Sequence, residues 1–254
     1  MSIHAINSNQ SVDVLSQAKI DLAAAHRLAV FHELEEGIDN HFTVTVPGTE
    51  DQFLVLPFGL HWSEARASDM IVFNEQGDTL EGDGLVERSA QCIHAPIHRI
   101  TGAKVVLHTH QTWVVALNML ENNRLIPACQ TSAFFDGHIV YEDDYRGTAD
   151  TLEEGERLGN MMGEKTVMFM KNHGVLVATD SIAKAYRMLY LLERVCRMQI
   201  LAMSTGEKIL PITAELIAQI QTPDQGDRHH GQRHQLYFDA MKRVMNRVNP
   251  GYAD

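Results

Sequence analysis

Two short apolar runs on either side of a tight turn place the strongest limit on how this chain can fold. The runs are "TVMFM" and "GVLVAT", and the turn "KNHG" spans residues 171–174. Short apolar runs bounded by turn residues are typical of buried strands, and two runs joined by so few residues predict an antiparallel pair. The segments "KVVLH", "DQFLVLPFG" and "SDMIVFNEQGD" are also predicted strands. The sequence therefore predicts a sheet with buried central strands.

Segments with helical periodicity surround these strands. Apolar residues recur at helical spacing within residues 11–36, where we expect a helix that ends near Gly37, and within residues 181–204. Helices are also predicted for "TWVVALNMLENN", "TLEEGERLGNMMG" and "PITAELIAQIQ", the last with proline in its first turn. Pro96 should kink or delay the helix in "RSAQCIHAPIHRITG". Residues 1–254 are expected to form a single α/β domain around a mixed sheet.

Charge and apolar content narrow the function. The formal net charge is −12, from 21 lysines and arginines against 33 acidic residues, and this balance disfavours non-specific nucleic-acid binding. No apolar run is long enough to span a bilayer, and the first residues lack a signal-peptide pattern, so we expect a cytoplasmic protein without a membrane partner. Three cysteines, odd in number and far apart, indicate reduced thiols. A small molecule or a protein is the expected partner.

Two histidines stand where the predicted strand "KVVLH" ends. Side chains two residues apart in a strand point to the same side, so His108 and His110 can converge on one metal ion. Because the chain has 14 histidines, about one such pair is expected by chance, and the pair alone is a weak motif. Its position at a strand end, where open α/β sheets usually bind ligands, strengthens the metal interpretation.

A metal site that keeps a coordination position open needs a third protein ligand. His173 is the best candidate, because it lies in the tight turn between two predicted strands. A solvent-exposed turn histidine is the alternative on local grounds.

Three segments stand in a characteristic order and spacing, namely "VVLHTHQTWVVAL", "IPACQTSAFFDGHIVYEDDYRGT" and "MFMKNHGVLVATDSIAKAYRMLYLLERVCRMQILA". In these segments the chain resembles the class II aldolase/adducin family, in its bacterial adducin-like branch. This resemblance implies a three-layer α/β/α fold around a mixed sheet and a homotetramer with sites between subunits. It also implies that His108, His110 and His173 hold one divalent metal per chain, usually zinc, with manganese or iron in some branches.

The sequence departs from the sugar-phosphate aldolases of that family before the metal-site strand. Those enzymes carry a Pro-Ser-Ser-Glu segment there, with phosphate-binding serines and an acid/base glutamate, whereas this chain has "ERSAQCIH". Ala90 falls at the glutamate position, and Ser89 is what remains of the serine pair. Glu87, close to one helical turn earlier, could reach the same pocket, although a solvated acid in a first helical turn is the alternative.

The phosphate motif near the N-terminus is also altered. In "DNHFTV" the residues Asn40 and Thr43 are retained, but Thr45 stands where the family has arginine. Recognition of phosphate is therefore not expected, and His41 becomes a candidate pocket residue. The predicted substrate-binding residues are Asn40, His41, Thr43 and Ser89.

Other histidines and tyrosines are candidates for proton transfer or packing. His94 and His98 share a helix face and are either metal ligands or packed core groups, of which the second is the commoner case. Acid/base candidates besides Glu87 are Tyr141 and Tyr145, with surface packing as the alternative, and His234 and Tyr237, which could enter a neighbouring subunit's site.

Two functions from different classes are compatible with this sequence. The leading hypothesis is a metal-dependent lyase that performs aldol-type cleavage or decarboxylation on a small, oxygenated, non-phosphorylated substrate. The alternative is a binding or scaffold module like the adducin head, which keeps the fold without chemistry. Loss of the glutamate at Ala90 favours the scaffold, and three intact histidines favour the enzyme.

Overall fold

One eight-stranded mixed sheet organises the residues described in the computed structural model, which are residues 8–222 and 230–254. The strands are β1 His41–Thr45, β2 Gln52–Val55, β3 Ile71–Asn74, β4 Thr79–Glu81, β5 Val105–Thr109, β6 Ile139–Glu142, β7 Val167–Met170 and β8 Gly174–Thr179. Their spatial order is β4-β3-β2-β1-β5-β8-β7-β6. Neighbouring strands run antiparallel except for the parallel pair β6–β7. The predicted mixed sheet and the β7–β8 pair are confirmed.

Helices cover both faces of the sheet. The helices are α1 Ser8–Phe31, α2 Ala95–Thr101, α3 Thr112–Asn118, α4 Gln130–Ala133, α5 Leu152–Met162, α6 Ile182–Met203, α7 Ala214–Gln221 and α8 Arg233–Val248. Buried residues of α1, α3, α6 and α8 join one core on one face of the sheet. Residues of α2 and α5 form a separate core on the other face. This is the predicted three-layer α/β/α arrangement.

The alternation along β5 decides which layer the histidines of the predicted metal site face. Val105 and Leu107 point into the core under α1 and α6, whereas Val106 points into the core under α2 and α5. Because the side-chain period of a strand is two residues, His108 lies on the same face as Val106. The register also places His108 beside His41 of β1.

Several helix boundaries differ from the predictions. Helix α1 ends at Phe31 rather than near Gly37, and Glu33 then adopts a left-handed backbone with φ of 56°. Helix α3 stops at Asn118 instead of extending through "LENN". Pro211 precedes α7 and is not in its first turn, because Thr213 caps the helix by accepting a hydrogen bond from the Leu216 backbone N–H.

The helix changes type near Pro96, and its start is not delayed there. Helical residues begin at Arg88, a π-helical turn spans Ala90–His94, and Pro96 lies in the first turn of α2. Because proline has no N–H, it cannot continue the hydrogen bonding of the turn before it. Such π turns are frequent at functional sites, and this one follows directly after Ser89.

Two further expectations concern thiols and membranes. Cys92, Cys129 and Cys196 are free cysteines, as predicted. Among the residues described, none of the helices combines the length and apolar character needed to cross a bilayer.

Replacing Gly155 with alanine is expected to destabilise the protein by about 3 kcal/mol or more, because α5 packs directly on the π-helical turn. A Cβ at Gly155 would lie 1.8 Å from the Cys92 carbonyl oxygen and 3.0 Å from Pro96 Cγ. Denaturant unfolding would measure the loss. Gly231→Ala is the control, because a Cβ at Gly231 meets nothing within 4 Å. Equal stability of the two variants would show that α5 can shift away at little cost.

Candidate metal centre

Three histidines converge at one end of the central strands. His108 is the last residue of β5 on the face toward α2 and α5. His110 follows that strand, and His173 lies in the turn between β7 and β8. Antiparallel pairing of β5 with β8 brings these segments together, with Thr109 opposite Val175. One ring nitrogen from each histidine lies within 4.8 Å of the others.

His108 is oriented by a backbone acceptor. Its Nδ1 lies 3.0 Å from the Val175 carbonyl oxygen, so Nδ1 carries the proton and Nε2 keeps a lone pair. That Nε2 lies 3.0 Å from Nε2 of His110. Burial, with a smaller contribution from the neighbouring histidines, lowers the pKa of His108 well below 6.5 and favours the neutral ring. A neutral imidazole with a free Nε2 is a good ligand for a transition metal.

His110 is held by a carboxylate that the sequence interpretation missed. Glu36 Oε2 lies 2.6 Å from Nδ1 of His110. Asn40 Oδ1 accepts hydrogen bonds from the Glu36 N–H at 2.8 Å and from the His110 N–H at 3.5 Å. A carboxylate behind a ligating histidine fixes ring orientation and raises ligand basicity. No local signal singles out Glu36 among the acids that follow α1.

The donor set fits a divalent transition metal. Burial is the main cause that lowers the pKa of His173 to about 4, so this ring also favours the neutral form near pH 7. Three neutral imidazoles are the donor set of catalytic zinc sites that keep a fourth position open. Imidazole also suits iron and other first-row metals, so the ligands do not choose among zinc, manganese and iron.

Gly174 permits the close approach of β8 to the histidines. A Cβ at this position would lie 2.4 Å from the Thr109 carbonyl oxygen and 3.0 Å from His110 Cδ2. The Gly174 carbonyl also accepts a hydrogen bond of 2.8 Å from Asn118 Nδ2. The Asn-His-Gly turn therefore needs glycine for steric reasons in addition to any ligand role of His173.

A cavity of about 260 Å³ opens at the three histidines. Its lining also includes His41, Glu87, Ser89, Tyr145, Asp39 and Phe58. Among the described residues, no lysine or arginine lines it. A larger cavity of about 740 Å³ lies beside Trp113 and Arg197, but its lining contains none of the three histidines.

Glu87 reaches this cavity through the turn that precedes the π-helical segment. Its Oε2 accepts hydrogen bonds from the Ala90 backbone N–H at 2.9 Å and, at a shorter distance, from the Ser89 hydroxyl. The same oxygen lies 3.5 Å from His41 Nε2. Partial burial acts to raise the pKa of Glu87, but the Ser89 hydrogen bond, His41 and backbone N–H groups outweigh it, and the pKa is lowered. An ionised carboxylate therefore faces the cavity although the family's glutamate position is Ala90.

The remaining predicted site residues divide between the cavity and other places. Tyr145 is 50% exposed and lines the cavity. Thr43 is fully buried behind the cavity wall, and Asn40 is buried next to His110. Tyr141 lies apart from the cavity, where its hydroxyl accepts a hydrogen bond of 3.1 Å from the Leu125 N–H.

His234 and Tyr237 lie on α8, outside the lining of this cavity. The Tyr237 ring stacks on Tyr190 of α6 with centroids 5.4 Å apart. Within one chain, the structure does not bring these two residues to the metal centre.

Comparisons with known proteins agree with the fold. Residues 20–200 match the family model described as class II aldolase and adducin N-terminal domain. A Pseudomonas aeruginosa protein, provisionally named a class 2 aldolase, is 31% identical over 258 residues, which cover 99% of this chain and 98% of that protein.

Two solved structures extend the comparison. An aldolase II superfamily protein from Pseudomonas syringae is 31% identical, with a TM-score of 0.86, and the alignment covers 94% of this chain and 96% of that one. L-fuculose 1-phosphate aldolase from Glaciozyma antarctica is 22% identical, with a TM-score of 0.82 over 98% and 96% of the two chains, which supports the fold alone. The chain belongs to the class II aldolase and adducin family.

Proposed function

We propose that this protein is a divalent-metal-dependent lyase that performs aldol-type cleavage or decarboxylation on a small oxygenated substrate. The observation that carries the proposal is the convergence of His108, His110 and His173 at a cavity that also contains the Glu87 carboxylate. A divalent metal, most simply zinc, would supply a Lewis acid that stabilises the negative charge that either reaction develops on a substrate oxygen. We further propose that residues 1–254 act as one cytoplasmic domain.

The cavity favours a substrate without phosphate. Phosphate binding depends on cationic side chains or clustered backbone N–H groups, and no arginine or lysine of the described residues lines this cavity. Asp39 and Glu87 instead add negative charge to the lining. Thr45, at the family's arginine position, is 93% buried beside His98 and does not reach the cavity. Uncharged hydroxyl and carbonyl groups suit this lining better than a phosphate dianion.

Glu87 and Ser89 are placed to handle protons at the cavity wall. The lowered pKa of Glu87 keeps it ionised near pH 7, so it can accept a proton and hold it at a carboxylate oxygen. Ser89 contacts both Glu87 Oε2 and His41 Nε2, the latter at 2.9 Å, and thereby orders the two groups relative to each other. Tyr145, half exposed at the rim, is a second candidate proton donor.

Replacing Glu87 with glutamine is expected to lower lyase turnover by about 10²- to 10⁴-fold while metal content stays unchanged, because a general base is lost but no ligand. A panel of small hydroxy acids and ketoses would first be screened with the wild-type protein. Turnover of the variant would then be measured on a compound that the wild type cleaves. Glu81→Gln is the matched control, since Glu81 pairs with Lys19 at the surface and is remote from the cavity. Undiminished turnover in the Glu87 variant would remove this residue from the mechanism.

A scaffold module like the adducin head is the second candidate function. The observation that favours it is Ala90, because the family's acid/base glutamate is missing there. Metal content separates the two candidates, since a scaffold does not require an occupied histidine site.

We also propose a homotetramer with sites shared between subunits. Helix α6 leaves Met198, Leu201 and Met203 between 40% and 50% exposed, which suits a covered interface. If the α8 residue Tyr237 enters a neighbour's cavity, mixing Tyr237→Phe with His108→Ala chains should recover part of the lost activity through hybrid sites. Sedimentation as a monomer at micromolar concentration with metal bound would exclude both the tetramer and the shared site.

A further inference from the structure

A buried chain of hydrogen bonds leads away from the cavity behind His41. His41 Nδ1 lies 2.7 Å from His94 Nε2, and His94 Nδ1 lies 2.7 Å from the Thr43 hydroxyl. The same hydroxyl lies 2.8 Å from His98 Nε2, and His98 Nδ1 lies 2.7 Å from the Ala103 carbonyl oxygen. All four side chains are at least 95% buried, so water does not compete for these contacts.

The Ala103 end of this hydrogen-bond chain determines the direction of every hydrogen bond in it. The Ala103 carbonyl can only accept, so His98 Nδ1 carries a proton and His98 Nε2 accepts from the Thr43 hydroxyl. Since the single proton of Thr43 is used there, its oxygen accepts from His94 Nδ1. His94 Nε2 must then accept from His41 Nδ1.

Burial keeps these inner rings neutral, as this assignment requires. It is the main cause that lowers the pKa of His98 to about 4, and it lowers the pKa of His94 well below 6.5. Each ring therefore has one protonated and one unprotonated nitrogen near pH 7, and the chain has one self-consistent set of tautomers.

The near end of the chain lies beside the metal centre. With its proton on Nδ1, His41 directs the Nε2 lone pair toward Ser89 and the cavity. The ring centroids of His41 and His108 are 5.0 Å apart. The Ser89 hydroxyl donates its one proton to Glu87, so its oxygen, 2.9 Å from His41 Nε2, supplies no donor to that nitrogen. His41 and Glu87 therefore both present acceptors at the cavity wall.

We propose that Thr43, His94 and His98 are positioning residues that fix His41 as a hydrogen-bond acceptor, and that this acceptor selects a carbonyl substrate with an adjacent donor hydroxyl group. The substrate part rests on the proposed function, whereas the tautomer part does not. A substrate whose hydroxyl is methylated or missing would leave His41 Nε2 without a donor, which is unfavourable for a buried acceptor.

An isosteric substitution at Thr43 can interrupt this series of hydrogen bonds. Valine has nearly the shape of threonine, but Thr43→Val would leave His94 Nδ1 and His98 Nε2 without their partner. Serine at the same position would keep the hydroxyl. Thr45→Val is the matched control on the same strand face, because Thr45 approaches His98 Nδ1 only at 3.4 Å and that nitrogen already donates to Ala103.

Nitrogen-15 solid-state NMR of histidine-labelled protein tests the tautomers directly, in the metal-free and the zinc-loaded protein. We expect His41 to be protonated at Nδ1 in the wild type, Thr43→Ser and Thr45→Val proteins. Thr43→Val should show a second His41 population protonated at Nε2. His41 protonated at Nε2 in the wild type, or one unchanged His41 tautomer in a folded Thr43→Val protein, would overturn the proposal. The wild-type spectrum is decisive even if the valine variant does not fold.

Hydroxyacetone and methoxyacetone test the substrate part on the zinc-loaded protein. Hydroxyacetone should shift the His41 Nε2 resonance, and methoxyacetone, which lacks the donor proton, should not. Equal shifts with both compounds, or a shift with neither, would overturn the hydroxyl selection. Failure of the lyase proposal would appear separately, as absent metal or absent turnover with the wild-type tautomers still as predicted.

Discussion

Replacing His108 with alanine is expected to reduce bound metal from about one ion per chain to near zero and to abolish lyase turnover. Only three histidine donors converge among the described residues, so two imidazoles would remain. Loss of a group that merely supports a ligand already weakens metal affinity by about 10- to 100-fold, and loss of a ligand should weaken it further. Elemental analysis of purified protein after dialysis against excess metal would measure the change.

Two further variants serve as controls for the loss of metal in His108→Ala. His138→Ala removes an exposed histidine remote from the cavity and should keep the metal. Glu36→Gln retains all three ligands but removes the carboxylate 2.6 Å from His110, so affinity should fall by about 10- to 100-fold. Full metal content in His108→Ala would exclude the proposed ligand set. Wild-type protein that binds no metal even after reconstitution would favour the scaffold function.

The parts of the fold that sequence predicts well are those that local patterns encode. The apolar runs of β5, β7 and β8 and the tight turn at His173 follow from residues adjacent in the chain. Because β5 and β8 pair antiparallel, these local features are sufficient to bring His173 beside His108. The predicted metal ligands therefore depended on one strand pairing, and that pairing has strong sequence signals.

Groups that depend on distant contacts were less accessible to prediction. Glu36 contacts a histidine 74 positions later, from a loop with no periodicity. His94 was correctly weighted as a packed group, but its partners His41 and Thr43 lie on a strand about 50 residues earlier. Only the placement of the π-helical turn against β1 joins these residues, and no short pattern specifies that contact.

Tyr141 shows how strand alternation decides between two neighbouring candidates. It lies within β6, where its ring contacts Phe169 at a centroid distance of 5.6 Å and packs on the core beneath α6. This is the face of the sheet opposite to His108. Tyr145 follows the end of β6 and is free of that alternation, so it can reach the cavity rim. The end of a short strand is among the least predictable features of a sequence.

Acidification from pH 6.5 to about pH 4 is expected to remove about 5 kcal/mol from the unfolding free energy of the metal-free protein, through His26 and His98 alone. Both side chains are almost fully buried, and burial is the main cause that lowers each pKa from 6.5 to about 4. Over the whole transition this difference corresponds to about 3 kcal/mol per histidine, and most of it falls within this pH window.

The sign follows from which state binds protons first. Well above pH 6.5 both histidines are neutral in the folded and unfolded chains, and the full stability is present. Between pH 6.5 and about 4 the unfolded chain binds protons that the folded chain does not, so stability falls as pH falls. Below about pH 4 the folded histidines also bind protons, and their contribution to the slope ends. A loss of about 5 kcal/mol is comparable to the whole stability of a marginally stable domain, so acid unfolding is expected within this window.

His26→Leu separates one histidine from the rest. The Nδ1–H of His26 donates to the Leu22 carbonyl oxygen of its own helix at 2.8 Å, and the ring packs against Phe42 and Trp62. Leucine should therefore be accommodated, and the pH slope should fall by about 1.4 kcal/mol per pH unit in the middle of the window. Denaturant unfolding at several pH values would measure both slopes.

Phe73→Leu is the control for a change in core packing without a titratable group. Phe73 is fully buried, so its replacement should lower stability by a similar amount at every pH and leave the slope unchanged. A His26→Leu slope equal to that of the wild type would mean that His26 binds its proton equally in both states. The metal-free protein is required because metal binding is itself pH-dependent, so release of a bound metal would add its own loss of stability as the pH falls.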